Sequence, residues 1–133
     1  GRAFAQACEM RGLPYYLLSR REIDLCDPMS IEATLDAANP WLVVNATGYV
    51  RVDDAEDERE SELCERVNHV GAVDLARACA RRGLALVSFS SDLVFDGANN
   101  APYLESDSPR PLNVYGATKA RMENGVLAEH PRS

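Results

Sequence analysis

Trp41-Leu42-Val43-Val44-Asn45-Ala46-Thr47-Gly48 is the stretch on which the fold turns. A continuous apolar run followed by a small, polar turn is what a parallel strand covered on both faces requires, since neither side meets water. Leu84 to Phe89 has the same form and ends in Ser90-Ser91. Between the two, an acidic stretch from Asp53 to Glu62 reads as a solvated loop and the exposed first turns of a helix, where carboxylates suit the dipole. That helix continues through Leu63, Val67, Val70, Val73, Leu75, Ala76 and Cys79 until Gly83. A connection of this length is no hairpin, so the two strands are expected to lie parallel, joined by a right-handed crossover.

Working outward, Asp27-Pro28 is a helix start, with an N-cap aspartate and proline at the first helical position. That helix should carry Ile31, Leu35 and Ala38 inward and stop before Pro40. Tyr15 to Leu18 reads as a short apolar strand, followed by the polar turn Ser19-Arg20-Arg21. Ala3, Phe4, Ala7, Cys8 and Met10 form a helical stripe closed by Gly12. Beyond a loop bearing Pro102, Pro109 and Pro111, a last helix begins near Asn113. The expected architecture is α/β: a Rossmann-type, doubly wound parallel sheet with helices on both faces. Because Gly1-Arg2-Ala3-Phe4 reads as helix with no strand before it, the domain is expected to be truncated at its N-terminus.

The 133 residues suffice for one domain with a core, and the 46% hydrophobic and 26% charged fractions are those of an ordinary globular protein. A net charge of -7 argues against nucleic acid or an anionic membrane as partner. No apolar run is long enough to span a bilayer and no signal peptide is evident, so a cytoplasmic location is expected. Cys8, Cys26, Cys64 and Cys79 form no C-x-x-C pair, which points to reduced, mostly packed thiols and to no metal site.

In a parallel sheet, ligands sit beyond the C-terminal strand ends. Asn45–Gly48, Ser90–Asp92 and the helix after Asn113 should therefore converge on one rim. That helix carries Tyr115-Gly116-Ala117-Thr118-Lys119, in which tyrosine and lysine four apart share a face. An ammonium beside a phenol favours the phenolate, and a phenol tuned in that way can hand a proton to a carbonyl oxygen. On spacing alone, a surface helix that begins with Tyr and Lys is the commoner meaning of this pattern.

Several stretches together resemble the extended short-chain dehydrogenases/reductases, most closely their branch of dTDP-4-dehydrorhamnose reductases. They are Val44-Asn45-Ala46-Thr47-Gly48-Tyr49-Val50-Arg51-Val52-Asp53-Asp54-Ala55-Glu56, Phe89-Ser90-Ser91-Asp92-Leu93-Val94-Phe95-Asp96-Gly97, Pro102-Tyr103-Leu104-Glu105-Ser106-Asp107, and Pro111 to Lys119 with Glu123. The resemblance implies reduction, with NADPH, of the C4 ketone of dTDP-4-dehydro-6-deoxy-L-mannose to dTDP-L-rhamnose. It makes Tyr115 the acid, Lys119 its partner and the holder of the nicotinamide ribose, and Ser91 a hydrogen-bond donor to the ketone. Asp92 joins Ser91 on the substrate side. Ala46, Thr47 and Gly48 would line the cofactor through their backbone with Tyr49 close by, and Asp24-Leu25 would pass near the adenine. Asn68 would bridge backbone groups behind the site or simply face solvent.

The family also opens with a strand and a G-x-x-G-x-x-G loop for the pyrophosphate. Gly1 would be that loop's third glycine, so the chain by itself is expected to bind a dinucleotide poorly and to lack the substrate domain. Where NAD-binding members place an acidic residue after the second strand, this chain has Ser19-Arg20-Arg21, a set that suits a 2′-phosphate. NADPH is the expected cofactor, with NADH and a merely solvated turn as the alternatives. The nucleotide sugar is the expected small-molecule partner, and a homodimer is left open. Two other functions stay open: an NADP-binding regulatory subunit like the beta subunit of methionine adenosyltransferase, and a nucleotide-sugar epimerase or dehydratase.

Overall fold

Two parallel strands, β1 (Leu42–Asn45) and β2 (Ala85–Ser88), pair in the register Leu42 with Ala85 through Asn45 with Ser88. The computed structural model describes residues 1–133. Before the sheet come α1 (Arg2–Met10) and α2 (Pro28–Ala38). The crossover holds a 3₁₀ turn (Asp54–Glu56), α3 (Glu58–Glu65), a π-helical turn (Arg66–Val70) and α4 (Gly71–Arg82). After β2 follow a 3₁₀ turn (Asp92–Val94) and α5 (Val114–Glu129).

The helix limits follow from side chains that replace missing backbone partners. The Asp27 carboxylate accepts from the Met29 amide at 2.9 Å, with Pro28 at the first position, and Asn39 ends α2 in the left-handed region at φ 41°. Gly83 ends α4 at φ 65°, where a Cβ would be strained.

Alternation along the strands sorts the two faces of the sheet. Leu86 points into a core made with Ile31 and Leu35 of α2, Leu75, Ala76 and Cys79 of α4, and Met122 and Val126 of α5. Val87 and Phe89 take the other face, where the Phe4 ring of α1 stands 5.6 Å from that of Phe89. This second face is thinly covered: Val87 and Phe89 stay partly exposed, and of α1 only Ala5 is buried. Arg82 bridges α4 to Glu32 and Asp36 of α2, both at 2.6 Å, a surface link worth little.

Tyr15–Leu18, expected as a strand, is not one. A strand exists only by pairing, and β1 and β2 pair with each other alone, which leaves Tyr15–Leu18 exposed and without a ladder. The other expected elements form within a few residues of the positions read from the sequence. Cys64 and Cys79 are buried, Cys8 and Cys26 are half-buried, and all four are free thiols.

Candidate active site

The C-terminal ends of both strands open onto one cleft of about 350 Å³. Ala46, Thr47, Gly48 and Val50 line it from the end of β1, Phe89 and Ser90 from the end of β2, Tyr115 and Lys119 from α5, and Phe4 from α1. The expected convergence of three separate stretches is present. A larger hollow of about 510 Å³, lined by Leu84, Ala85 and His130 among others, lies at the opposite end of β2, away from every one of these groups.

Lys119 is buried to 7% exposure, and its ammonium donates to the Phe89 carbonyl. Burial, which penalises the charged form, holds its pKa below the usual lysine value, against the pull of Glu123. Tyr115, one turn earlier, packs beside the small cluster of Tyr49, Ala55 and Cys64.

Helix α5 is anchored at the turn that presents this tyrosine. Asn113 Oδ1 accepts from the Gly116 amide at 2.6 Å, and Glu56 Oε1 accepts from the Val114 amide at 2.8 Å. Gly116 lies against the Leu93 carbonyl, where a Cβ would overlap the oxygen.

Asn45 shapes the loop after β1: its Oδ1 accepts from the Thr47 hydroxyl at 2.6 Å and the Thr47 amide at 3.2 Å. Behind that loop, Asn68 in the π-helical turn is buried and bridges backbone groups. The Tyr49 amide donates to its Oδ1 at 2.8 Å, while its Nδ2 donates to the Tyr49 carbonyl at 3.1 Å. Nδ2 also lies 3.4 Å from the Thr118 hydroxyl, which donates to the Tyr115 carbonyl at 2.7 Å. One asparagine thus ties the loop under the cleft to the helix that carries Tyr115.

Other predicted residues stand outside the cleft wall. Ser91 caps the 3₁₀ turn, accepting from the Leu93 amide at 3.2 Å, and its hydroxyl donates to Asp92 at 3.2 Å; Ser90, not Ser91 or Asp92, lines the cleft. The Tyr49 ring turns to the core, its hydroxyl donating to Glu60 at 2.7 Å; desolvation and that carboxylate push its pKa up to about 12. Gly1 caps α1, and a Cβ there would stand 3.5 Å from Leu17 Cδ1, which places Leu17 beside the start of α1. Arg20 pairs loosely with Asp24 at 3.6 Å, and Arg21 makes no ion pair. The Asp24 carboxyl, held below its ordinary pKa by the Cys26 amide, accepts from that amide at 2.9 Å. The Leu25 side chain belongs to the core.

Sequence reasoning placed Ser90 on the binding rim but gave it no role, and it missed Phe89, Phe4 and Val50 as cleft residues and Glu56 as a cap. Phe89 carried a usable signal, since it ends the strand whose end was expected to bind. Glu56 carried none.

The family described as the RmlD substrate binding domain matches residues 1–133. The chain is 38% identical to a dTDP-4-keto-6-deoxy-D-glucose reductase of Streptomyces niveus, over 89% of this chain and 41% of that protein. It is 36% identical to a dTDP-4-dehydrorhamnose reductase of Mycolicibacterium smegmatis, over 98% of this chain and 39% of the relative. A crystal structure of dTDP-4-dehydrorhamnose reductase from Bacillus anthracis in complex with NADP superposes with a TM-score of 0.92 at 28% identity, covering 99% of this chain and 46% of that one. The chain therefore spans about two fifths of the length of the relatives it matches.

Proposed function

The chain belongs to the RmlD substrate binding domain family, and from that premise we propose that residues 1–133 form the cofactor-binding part of an NADPH-dependent reductase. Its substrate in this reading is dTDP-4-dehydro-6-deoxy-L-mannose, reduced at the C4 ketone to dTDP-L-rhamnose. The observation that carries the reading is the buried Lys119 ammonium sharing one cleft wall with Tyr115, facing the turn after β1 and Ser90. The names of the relatives support a 4-keto sugar nucleotide and differ in the sugar, so the L-mannose configuration is our assignment.

The residues present fit a nicotinamide nucleotide. An ammonium has three N–H donors, and the Phe89 carbonyl takes one, which leaves two for ribose hydroxyls. Phe4, Ala46, Val50 and Phe89 give the cleft apolar walls for a flat ring. Arg20 and Arg21 supply guanidinium groups for a 2′-phosphate. When bound, NADPH supplies the hydride that reaches the ketone carbon. Tyr115 gives its phenolic proton to the ketone oxygen as negative charge develops there, and the Lys119 ammonium stabilises the phenolate left behind. Ser91 donates its hydroxyl to the ketone from the end of β2, which requires that hydroxyl to turn from its present partners, and Asp92 accepts from a hydroxyl of the sugar. NADPH and nucleotide sugars are cytosolic metabolites, and on that ground we place the reaction in the cytoplasm.

The test is NADPH consumption with the 4-keto sugar nucleotide, in a polypeptide of the relatives' full length that contains these residues. Tyr115→Phe should lower kcat by about 100-fold or more with NADPH affinity unchanged. Tight NADPH binding with no turnover in the parent would replace the reductase by a regulatory NADP-binding role.

A further inference from the structure

Thr118 stands outside the cleft, wholly buried, one residue before Lys119 in α5. Its hydroxyl donates to the Tyr115 carbonyl at 2.7 Å. The helical pattern gives that carbonyl a second donor, the amide four residues on, which is that of Lys119. One oxygen therefore joins the backbones of Tyr115 and Lys119, and Thr118 holds it. A helical threonine often bonds back to its own preceding turn. Here two further arms reach the same hydroxyl from the crossover. Cys64 Sγ, in α3, stands 3.5 Å from Thr118 Oγ1, and Asn68 Nδ2, in the π-helical turn, stands 3.4 Å from it. A hydroxyl has one proton and two lone pairs. The proton goes to the carbonyl, which can only accept, so Thr118 accepts from both neighbours and its capacity is fully used. Burial pushes the Cys64 thiol up, which keeps it protonated as a donor.

We propose that Thr118 is a positioning residue for the reduction: its hydroxyl, held by Cys64 and Asn68, fixes the first turn of α5, and with it the Tyr115 phenol, against the loop after β1. The proposal rests on the reductase reading above. The far end of the joint is in the cleft wall. Asn68 holds both backbone groups of Tyr49, which lies between the cleft residues Gly48 and Val50. A Cβ on Gly48 would stand 3.4 Å from Asn68 Oδ1, so that wall rests on the asparagine itself. Valine has the shape of threonine without its hydroxyl. In Thr118→Val the Tyr115 carbonyl loses one donor, and Cys64 and Asn68 lose their common acceptor. The joint between α5 and the loop then opens, while Lys119 keeps its separate bond to the Phe89 carbonyl.

The experiment uses a polypeptide of the relatives' full length and measures kcat with the 4-keto sugar nucleotide beside calorimetric affinity for NADPH. A misplacement of 1 Å is worth about 100-fold, so a smaller shift of the phenol should lower kcat in Thr118→Val by about tenfold. NADPH affinity should stay at the parent's value. Thr118→Ser keeps the hydroxyl and should restore kcat. Circular dichroism melting establishes that each variant is folded. Thr118→Ala also removes the hydroxyl and carries the same expectation if Thr118→Val does not fold. A folded Thr118→Val or Thr118→Ala with the parent's kcat overturns the role of Thr118 and leaves the reductase reading standing. Equal losses of kcat and NADPH affinity also overturn it, because the whole of α5 has then moved. So does a Thr118→Ser as slow as Thr118→Val, since the hydroxyl is then not the cause. If the parent consumes no NADPH, the reductase reading falls and takes the role of Thr118 with it.

Discussion

Asn68 grips the backbone of Tyr49 from both sides, accepting from its amide at 2.8 Å and donating to its carbonyl at 3.1 Å. Both residues are buried, so no water can take over either bond. Asn68→Ala leaves an amide and a carbonyl unsatisfied and should destabilise the chain by about 3 kcal/mol, the sum of two such losses. Urea denaturation of the 133-residue chain measures it. A loss below roughly 0.5 kcal/mol, the size of a neutral surface change, would show that the loop relaxes to find other partners.

Gly116 breaks a helix rule for a packing reason. In an exposed helix interior, Gly→Ala gains about 1 kcal/mol. Here a Cβ would overlap the Leu93 carbonyl and stand 3.1 Å from Asn113 Oδ1, the cap of the same helix. Gly116→Ala should therefore cost about 1–3 kcal/mol, as overpacking does, and move Tyr115 with the turn that carries it. Equal or higher stability by thermal melting would mean that α5 slides at no cost.

Much of this could be read from residues, and the gaps have physical causes. Caps were legible because a cap is local: Asp27 before Pro28 and Asn113 before α5 announce themselves within one turn. The rim site was legible because parallel strands dictate which ends meet, and Tyr115 and Lys119 took their places from helical spacing. Tyr15–Leu18 was misread because apolar β-formers describe a strand's side chains and not its partner. The π-helical turn at Arg66–Val70 was invisible, since no residue pattern within it marks it and Asn68, which it carries, finds its partner Tyr49 in a separate stretch of the chain. For the same reason nothing near Glu56 foretold that it would cap α5.

Burial of Lys119 makes a pH-dependent cost. Its folded pKa lies below the unfolded value of 10.5, so the unfolded chain holds the proton more tightly. Below its folded pKa the residue is charged in both states and the penalty is fully present. As pH climbs through the lowered folded pKa towards 10.5, the folded chain sheds the proton first and stability rises. Lys119→Met lacks this term. Parent stability minus variant stability should therefore increase with pH across that window, other groups titrating alike in both. A difference that stays flat, or falls, would mean that the ammonium is solvated in the folded chain.

Glu56 holds α5 from outside the helix, through the amide of the residue just before Tyr115. No other group accepts from that amide, so Glu56→Ala should cost about 1 kcal/mol, as the loss of an N-cap does. Glu56→Gln keeps an acceptor oxygen of the same reach and should recover most of that stability. The effect on rate should be larger than the effect on fold. The first turn of α5 sets where the phenol sits, and a displacement near 1 Å is worth roughly 100-fold in a positioned proton transfer. In a polypeptide of the relatives' full length, Glu56→Ala should lower kcat with NADPH affinity little changed, because Lys119 lies a turn further on and is fixed separately by the Phe89 carbonyl. Equal losses in kcat and NADPH affinity would instead mean that the whole helix has moved, and Glu56 would then be a general prop for α5 and not the residue that places its tyrosine.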